Sequence, residues 1–296
     1  LTGEVLKGGK RQEKGLANAL RRATGRMGEP VIRNATGQAM RIIGGQFVYA
    51  RTIEEAMGRA KPEKKKGLTH SFDMLGEAAR TEADAKRYRA AYAEAIAVIA
   101  ARCTAESVRD NPGVSVKLSA LHPRYEALKH DRVMDELVER VLALAVMARG
   151  ANMGFNIDAE EAERLDLSLD VIEAVLGDNR LSGWDGFGIV VQAYGKRAGH
   201  IIDWVDAMAE KLGRRFMVRL VKGAYWDSEI KRAQVLGLEG FPVFTRKAAT
   251  DVSYIASARR LLEKRERLYP QFATHNAHTV ATILHLAETL GAEPGT

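Results

Sequence analysis

The stretch Val218–Glu229, VRLVKGAYWDSE, begins as an apolar run of the kind that packs inside a sheet. Yet it carries Arg219 and closes on Lys222 and Gly223, followed by Tyr225 and Trp226. A strand that serves packing alone has no use for cations, because burying an unpaired charge is costly. The pattern repeats along the chain. Short apolar runs centred near residues 70, 116, 156, 190, 218, 243 and 272 alternate with helical patterns such as DRVMDELVERVLALAVMARG, SLDVIEAVLG and HIIDWVDAMAEKLG. That alternation predicts strand–helix–strand units with right-handed crossovers and a parallel sheet. Gly150, Gly177, Gly213 and Gly291 stand where helices should end, at positions suited to a left-handed C-cap. Seven successive units favour an α/β, TIM-like (β/α)8 barrel over a doubly wound sheet. The dinucleotide fingerprint GxGxxG and the phosphate loop GxxxxGK are both absent. The eighth unit is expected to lie outside this sequence, which stops just after the seventh helical pattern and begins at Leu1 rather than Met.

Charge divides the chain in two. The net charge is +7, but residues 1–66 hold 15 Lys/Arg against 6 Asp/Glu, a surplus of +9, which leaves −2 for the remainder. These first 66 residues read as a polar, N-terminal helical arm, with Thr52 and Glu55 spaced as a capping box. Residues 67–296 read as the barrel. The basic pI therefore belongs to the arm, and no nucleic acid is expected as a partner through this chain. Cys103 is the single cysteine, so no internal disulfide can form, and a reducing, cytoplasmic setting is expected. The longest apolar run, Val141–Ala148, is too short to span a bilayer.

In a (β/α)8 barrel, ligands meet the C-terminal ends of the strands. Nearly every apolar run here gains a polar or ionisable residue near its end: Asp73, Lys117, Asp158, Gln192, Arg219 with Lys222, Thr245 with Arg246, and Thr274 with His275. Any one of them could be an ion pair inside a barrel, but seven together point to a convergent site. Cations and neutral donors outnumber acids, which suits an anionic ligand. Tyr225 and Trp226 add faces against which a planar ring could pack, or they are core. Three other readings remain open. Lys117 or Lys222 could form a Schiff base, as in aldolase-type barrels. Asp158, Glu160, His275 and His278 could ligate a metal, although His278 falls in the first turn of the last helical pattern. A barrel lacking one unit could also serve as a binding or assembly module.

The blocks VRLVKGAYWDSEIKRAQ, GLEGFPVFTRKAATDVSYIASARRLL, YPQFATHNAHT, SFDMLGEAA, VSVKLSALHPRY and FNIDAEEAERLDLSLD resemble the proline dehydrogenase domain of the bacterial bifunctional proline utilization flavoenzymes, from about Gly28 to about Leu286. The resemblance implies a distorted (β/α)8 barrel that holds FAD noncovalently. It would oxidise L-proline to Δ1-pyrroline-5-carboxylate by hydride transfer to flavin N5 and pass electrons to a quinone, with peripheral membrane contact in the full-length enzymes. By motif, Lys117, Asp158 and Tyr225 would contact the substrate and, with Arg219, carry the catalysis. Asp158, Ala159, Gln192, Arg219, Val221, Lys222, Gly223, Ala224, Trp226, Thr245, Lys247, Thr274 and His275 would line the FAD site, with no metal. Glu77 would stand behind the substrate residues and pair with an arginine. The family's closely spaced carboxylate-binding arginines, on its last helix, are not in this sequence. Some family members carry a DNA-binding segment; here the basic N-terminus is read as arm instead.

Overall fold

The computed structural model describes residues 29–45 and 47–292. The helical patterns expected before residue 29 lie outside the described residues. The chain divides into two compact units, Leu1–Arg59 and Ala60–Thr296. In the first, helix α1 (Glu29–Gly44) forms within the expected helical arm. The next helix, α2 (Ile53–Lys64), starts where the capping box placed it: Glu55 N–H donates to Thr52 Oγ1 at 3.3 Å, while the Glu55 carboxylate accepts from Arg51 N–H at 3.1 Å.

The second unit holds six parallel strands in sequential order: β1 (Ser71–Asp73), β2 (Gly113–Val116), β3 (Gly154–Ile157), β4 (Phe187–Gln192), β5 (Phe216–Val221) and β6 (Leu268–Phe272). Between them run α3 (Glu82–Ala100), the single turn α4 (Leu118–Leu121), α5 (His130–Gly150), α6 (Leu165–Leu176), α7 (Ala198–Leu212), α8 (Trp226–Val235) and α9 (Lys247–Glu263); α10 (Ala277–Thr289) follows β6. Each long helix packs one stripe. In α5 the buried residues include Val133, Leu137, Val141, Leu144 and Ala148, spaced by three or four along one face. Thr81 and Asp84 close a capping box at the start of α3.

Strand side chains alternate between two faces, and here the faces differ in chemistry. Phe72, Val114, Val116, Phe155, Ile157, Phe187, Ile189, Val191, Phe216, Val218 and Leu220 are all buried. The intervening positions carry Ser71, Asp73, Ser115, Asn156, Gln192, Arg219 and Gln271. The sheet is curled so that this second face closes on itself. Five strands laid flat would separate β1 from β5 by about 19 Å at the usual strand spacing, yet Arg219 on β5 donates to Ser71 Oγ on β1 at 2.7 Å. The architecture is therefore α/β and barrel-like, with polar side chains turned into the lumen.

The run near residue 243 does not form a strand of this sheet. Val243 makes one antiparallel bridge to Gly195, and the segment lies across the loop after β4, with Lys196 N–H bonded to the Pro242 carbonyl at 3.0 Å and Phe244 N–H to the Tyr194 carbonyl at 2.8 Å. Pro242 has no N–H to place in a ladder, which disfavours an internal strand between β5 and β6, whereas Pro270 is tolerated in the last strand of the row. Both α8 and α9 thus fall between β5 and β6. Of the four expected helix-ending glycines, Gly213 (φ +59) and Gly291 (φ +62) are left-handed, whereas Gly177 stays right-handed and Gly150 is the last residue of α5. After α5 it is Asn152 that turns left-handed, at φ +50.

Strand packing in the lumen leaves no room at Gly188. A Cβ there would fall on Asn156 Oδ1 and lie 2.8 Å from Met217 Cβ. Gly188→Ala is expected to lower stability by about 1–3 kcal/mol, read as a lowered denaturation midpoint. An unchanged midpoint would mean that the lumen can expand.

Candidate active site

Lys117 follows β2 directly, so strand alternation turns it into the lumen beside the ends of β1 and β3. Its Nζ donates to Asp73 Oδ1 at 2.9 Å, Asp73 Oδ2 at 3.2 Å and Asp158 Oδ2 at 2.8 Å. Its backbone N–H donates to the Tyr92 hydroxyl at 3.3 Å. The Lys117 and Asp158 side chains are 15% and 13% exposed, against 52% for Asp73. Burial opposes the Lys117 cation, but the charges and hydrogen bonds of Asp158 and Asp73 outweigh it and hold the ammonium protonated beyond the ordinary lysine range. Burial pushes the Asp158 carboxyl up, opposed chiefly by Lys117. Counted at formal charge, two carboxylates and one ammonium sum to −1.

Arg219 is the lumen residue at the middle of β5. Its Nη1 donates to Ser115 Oγ at 2.7 Å and its Nη2 to Ser71 Oγ at 2.7 Å. Burial lowers its affinity for its proton, and the negative charges of Asp158 and Asp73 act the other way. A lone positive charge thus stands within the field of the negative trio without being paired to it.

The β5–α8 turn forms the next wall. Lys222 Nζ reaches Asp251 Oδ1 at 2.5 Å, and Lys247 Nζ reaches Asp251 Oδ2 at 2.6 Å. The two ammonium groups hold Asp251 below the usual carboxylate range. Gly223 has φ +132, and a Cβ there would meet the Tyr194 ring at 2.6 Å, so a side chain is excluded. Gln192 ties the turn to the β3 loop: its Nε2 donates to the Glu160 carbonyl at 2.9 Å and its Oε1 accepts from Ala224 N–H at 3.3 Å. The Tyr225 hydroxyl donates to Glu77 Oε2 at 3.3 Å, and burial together with that carboxylate raises the phenol's pKa. Trp226 is half-exposed, with its Nε1 donating to the Phe244 carbonyl at 2.9 Å. Asp158, Ala159, Glu160, Gln192 and Tyr194 line a cavity between the β3 and β4 loops.

The structure thus gathers Asp73, Lys117, Asp158, Gln192, Arg219, Lys222, Gly223, Ala224 and Tyr225, with Glu77, around the C-terminal ends of β1 to β5. Val221 ends β5 half-buried. Thr245 stands exposed on the loop into α9, and Lys247, exposed as the first residue of α9, reaches toward the end of β5 through Asp251, which it shares with Lys222. Thr274 and His275 lie after β6, where Thr274 Oγ1 accepts from Asn276 N–H at 3.2 Å. Among the described residues, no cluster of His, Cys, Asp and Glu is placed to hold a metal ion. Ser71, Ser115 and Asp251 were not singled out from sequence. The signal for the serines lay in the alternation itself, since each stands two residues before a predicted site residue, Asp73 or Lys117.

Replacing Lys117 by Met would leave Asp158 buried beside Asp73 without a cation, at a cost of about 3 kcal/mol at neutral pH. The penalty has a definite sign in pH. Without Lys117 the folded-state pKa of Asp158 rises further above its unfolded value, so the loss is present above the unfolded pKa and recovers as pH falls through the folded one. Denaturation of Lys117→Met and the parent chain should therefore converge on acidification. A gap that stays constant with pH would show that the loss is one of packing.

The matching family model is described as proline dehydrogenase and covers residues 56–296. A second model, described as the DNA-binding domain of proline dehydrogenase, matches residues 1–47. This second match corrects the reading of the basic N-terminus as an arm without a nucleic-acid-binding segment: the larger part of that surplus, +6 of +9, lies in residues 1–47, which match a family model of their own. The bifunctional PutA protein of Salmonella typhimurium is 52% identical over 275 residues, covering 93% of this chain and 21% of its own length. Proline dehydrogenase 1 of Bacillus subtilis is 26% identical over 194 residues, covering 66% of this chain and 56% of its own. The chain thus spans about a fifth of the length of the PutA relatives. Among solved structures, a Bradyrhizobium japonicum proline utilization A mutant superposes with TM-score 0.79 at 58% identity, covering 90% of this chain and 27% of that one. Proline utilization A from Bdellovibrio bacteriovorus, inactivated by N-propargylglycine, gives TM-score 0.83 at 28% identity, covering 89% and 28%. With residues 56–296 matched and the barrel in common, the chain belongs to the proline dehydrogenase family.

Proposed function

We propose that this chain oxidises L-proline to Δ1-pyrroline-5-carboxylate with a noncovalent FAD and delivers the electrons to a quinone. The observation that carries the reading is the charge separation at the lumen rim: a negative trio at Lys117 stands close to a cation, Arg219, whose hydrogen bonds go to two neutral hydroxyls. An amino acid is itself a zwitterion. Its carboxylate suits the ammonium of Lys117, which orients the ring, and its nitrogen suits the neighbouring carboxylates of Asp73 and Asp158. Tyr225, braced by Glu77, offers a face to the proline ring. Positioning of this kind can supply a large part of a rate enhancement without any proton transfer.

The residues present fit a flavin nucleotide. The Gly223 turn brings backbone close without a side chain, and Gln192, Lys222 and Lys247 supply neutral and cationic donors suited to phosphate and carbonyl oxygens. Ala159, Val221, Ala224, Trp226, Thr245, Thr274 and His275 would complete that lining. Bound FAD would supply the hydride acceptor. Arg219 would hold positive charge where the electron-accepting ring becomes negative, an electrostatic role that costs no reorganisation during the reaction. Among the described residues no helix is long and apolar enough to cross a membrane; delivery to a membrane quinone would proceed through peripheral contact of a cytoplasmic protein.

The purified chain should carry the visible absorbance of oxidised flavin, and anaerobic L-proline should bleach it. A colourless protein that cannot be reconstituted with FAD would overturn the reading. Pyrrolidine, which lacks the carboxylate, should bleach the flavin at least about tenfold less efficiently, because a charge-assisted hydrogen bond contributes about 1.5–3 kcal/mol. Equal rates with the two compounds would remove the carboxylate-binding role from Lys117.

A further inference from the structure

A buried guanidinium ordinarily pairs with a carboxylate. Arg219 has two within electrostatic reach, Asp73 and Asp158, both favouring its charged form. Its hydrogen bonds nevertheless go to the hydroxyls of Ser71 and Ser115, each at 2.7 Å. The two carboxylates are taken by Lys117 instead. A hydroxyl accepts a hydrogen bond through a lone pair without adding charge, so Arg219 is satisfied geometrically but not neutralised. The arrangement follows from strand alternation. Ser71 stands two residues before Asp73 on β1, and Ser115 two residues before Lys117 on β2, so each strand offers the lumen a neutral acceptor and then an ionised group. Ser115 is fully buried, with no solvent to replace its hydroxyl as an acceptor.

We propose that Ser71 and Ser115 are positioning residues: they hold Arg219 away from Asp73 and Asp158 and so keep its positive charge available to the bound cofactor. The link to the cofactor rests on the function proposed above, whereas the serine-held position of Arg219 does not. Without the hydroxyls, the guanidinium has carboxylate acceptors nearby, and an ion pair with one of them would cancel the field it projects.

The test uses the full chain with Ser71→Ala and Ser115→Ala, together and singly, read in two ways. A crystal structure of the double variant should show Arg219 paired with Asp73 or Asp158. In the FAD-loaded protein, affinity for sulfite should fall about tenfold or more, the size of losing a hydrogen bond to a charged group. Sulfite adds to flavin N5 and leaves negative charge on the ring, so its affinity reads the positive field there. Adding Asp73→Asn to the double variant should restore part of the affinity, and Ser71→Thr, which keeps the hydroxyl, should match the parent. A structural role for the serines would lower stability but leave sulfite affinity where it was. Arg219 unmoved in the double variant, with sulfite affinity unchanged, would overturn the proposal. If the protein binds no FAD, the cofactor reading fails, and the crystallographic position of Arg219 still decides the role of the serines. Should the double variant not fold, Ser71→Ala alone, at an exposed position, carries both readouts.

Discussion

The organising constraint is a cation held inside a parallel sheet. Arg219 spans the lumen from β5 to β1 and β2, which is possible only because the sheet is curled. The curl in turn demands that one face of each strand be filled from within. Where the lumen is narrow, near Gly113 and Gly188, the Gly154 backbone, Asn156 and Met217 approach closely and side chains are excluded. Toward the C-terminal ends it widens enough to hold Lys117, Asp73, Asp158, Gln192 and Arg219. The outward face carries the hydrophobic residues that dock the helices, so stability and chemistry are written on alternate positions of the same strands.

This division of labour explains how the site can be charged without being an ordinary ion-pair network. Buried charges are tolerated when each is hydrogen-bonded, and here the partners are sorted by type. Lys117 receives two carboxylates, Arg219 receives two hydroxyls, and Lys222 shares Asp251 with Lys247. The negative and positive poles remain distinct. A zwitterionic substrate and an electron-accepting ring both need such a field, which is why the proposed roles of Lys117 and Arg219 are not interchangeable.

Much of this was legible before any coordinates, for identifiable reasons. The strands near residues 70, 116, 156, 190, 218 and 272 announced themselves by short apolar runs between helical repeats, and Arg219 by being a charge in the wrong place. The run near 243 misled because its apolar residues pack as a crossing loop, a role that Pro242 signals by its missing N–H. Ser71 and Ser115 were passed over because a serine in a strand carries no charge to explain; their role depends on curvature that brings β5 to β1, which no local pattern reveals. Asp251 was hidden on a helix 29 residues beyond Lys222. Glu77, expected beside an arginine, faces Tyr225 among the described residues. The basic N-terminus was read as a helical arm, and charge alone could not say that its first 47 residues match the model of a DNA-binding domain.

The claim on which the account turns is that the charge of Arg219, rather than its bulk, serves the reaction. Stopped-flow reduction by L-proline of Arg219→Met, compared with the parent at matched FAD content, tests it most directly. The account predicts a rate lower by about 10²-fold, the scale of removing a preorganised charge-stabilising donor, with flavin still bound. A variant that is reduced as fast as the parent would contradict it and leave Arg219 as a structural strut of the barrel.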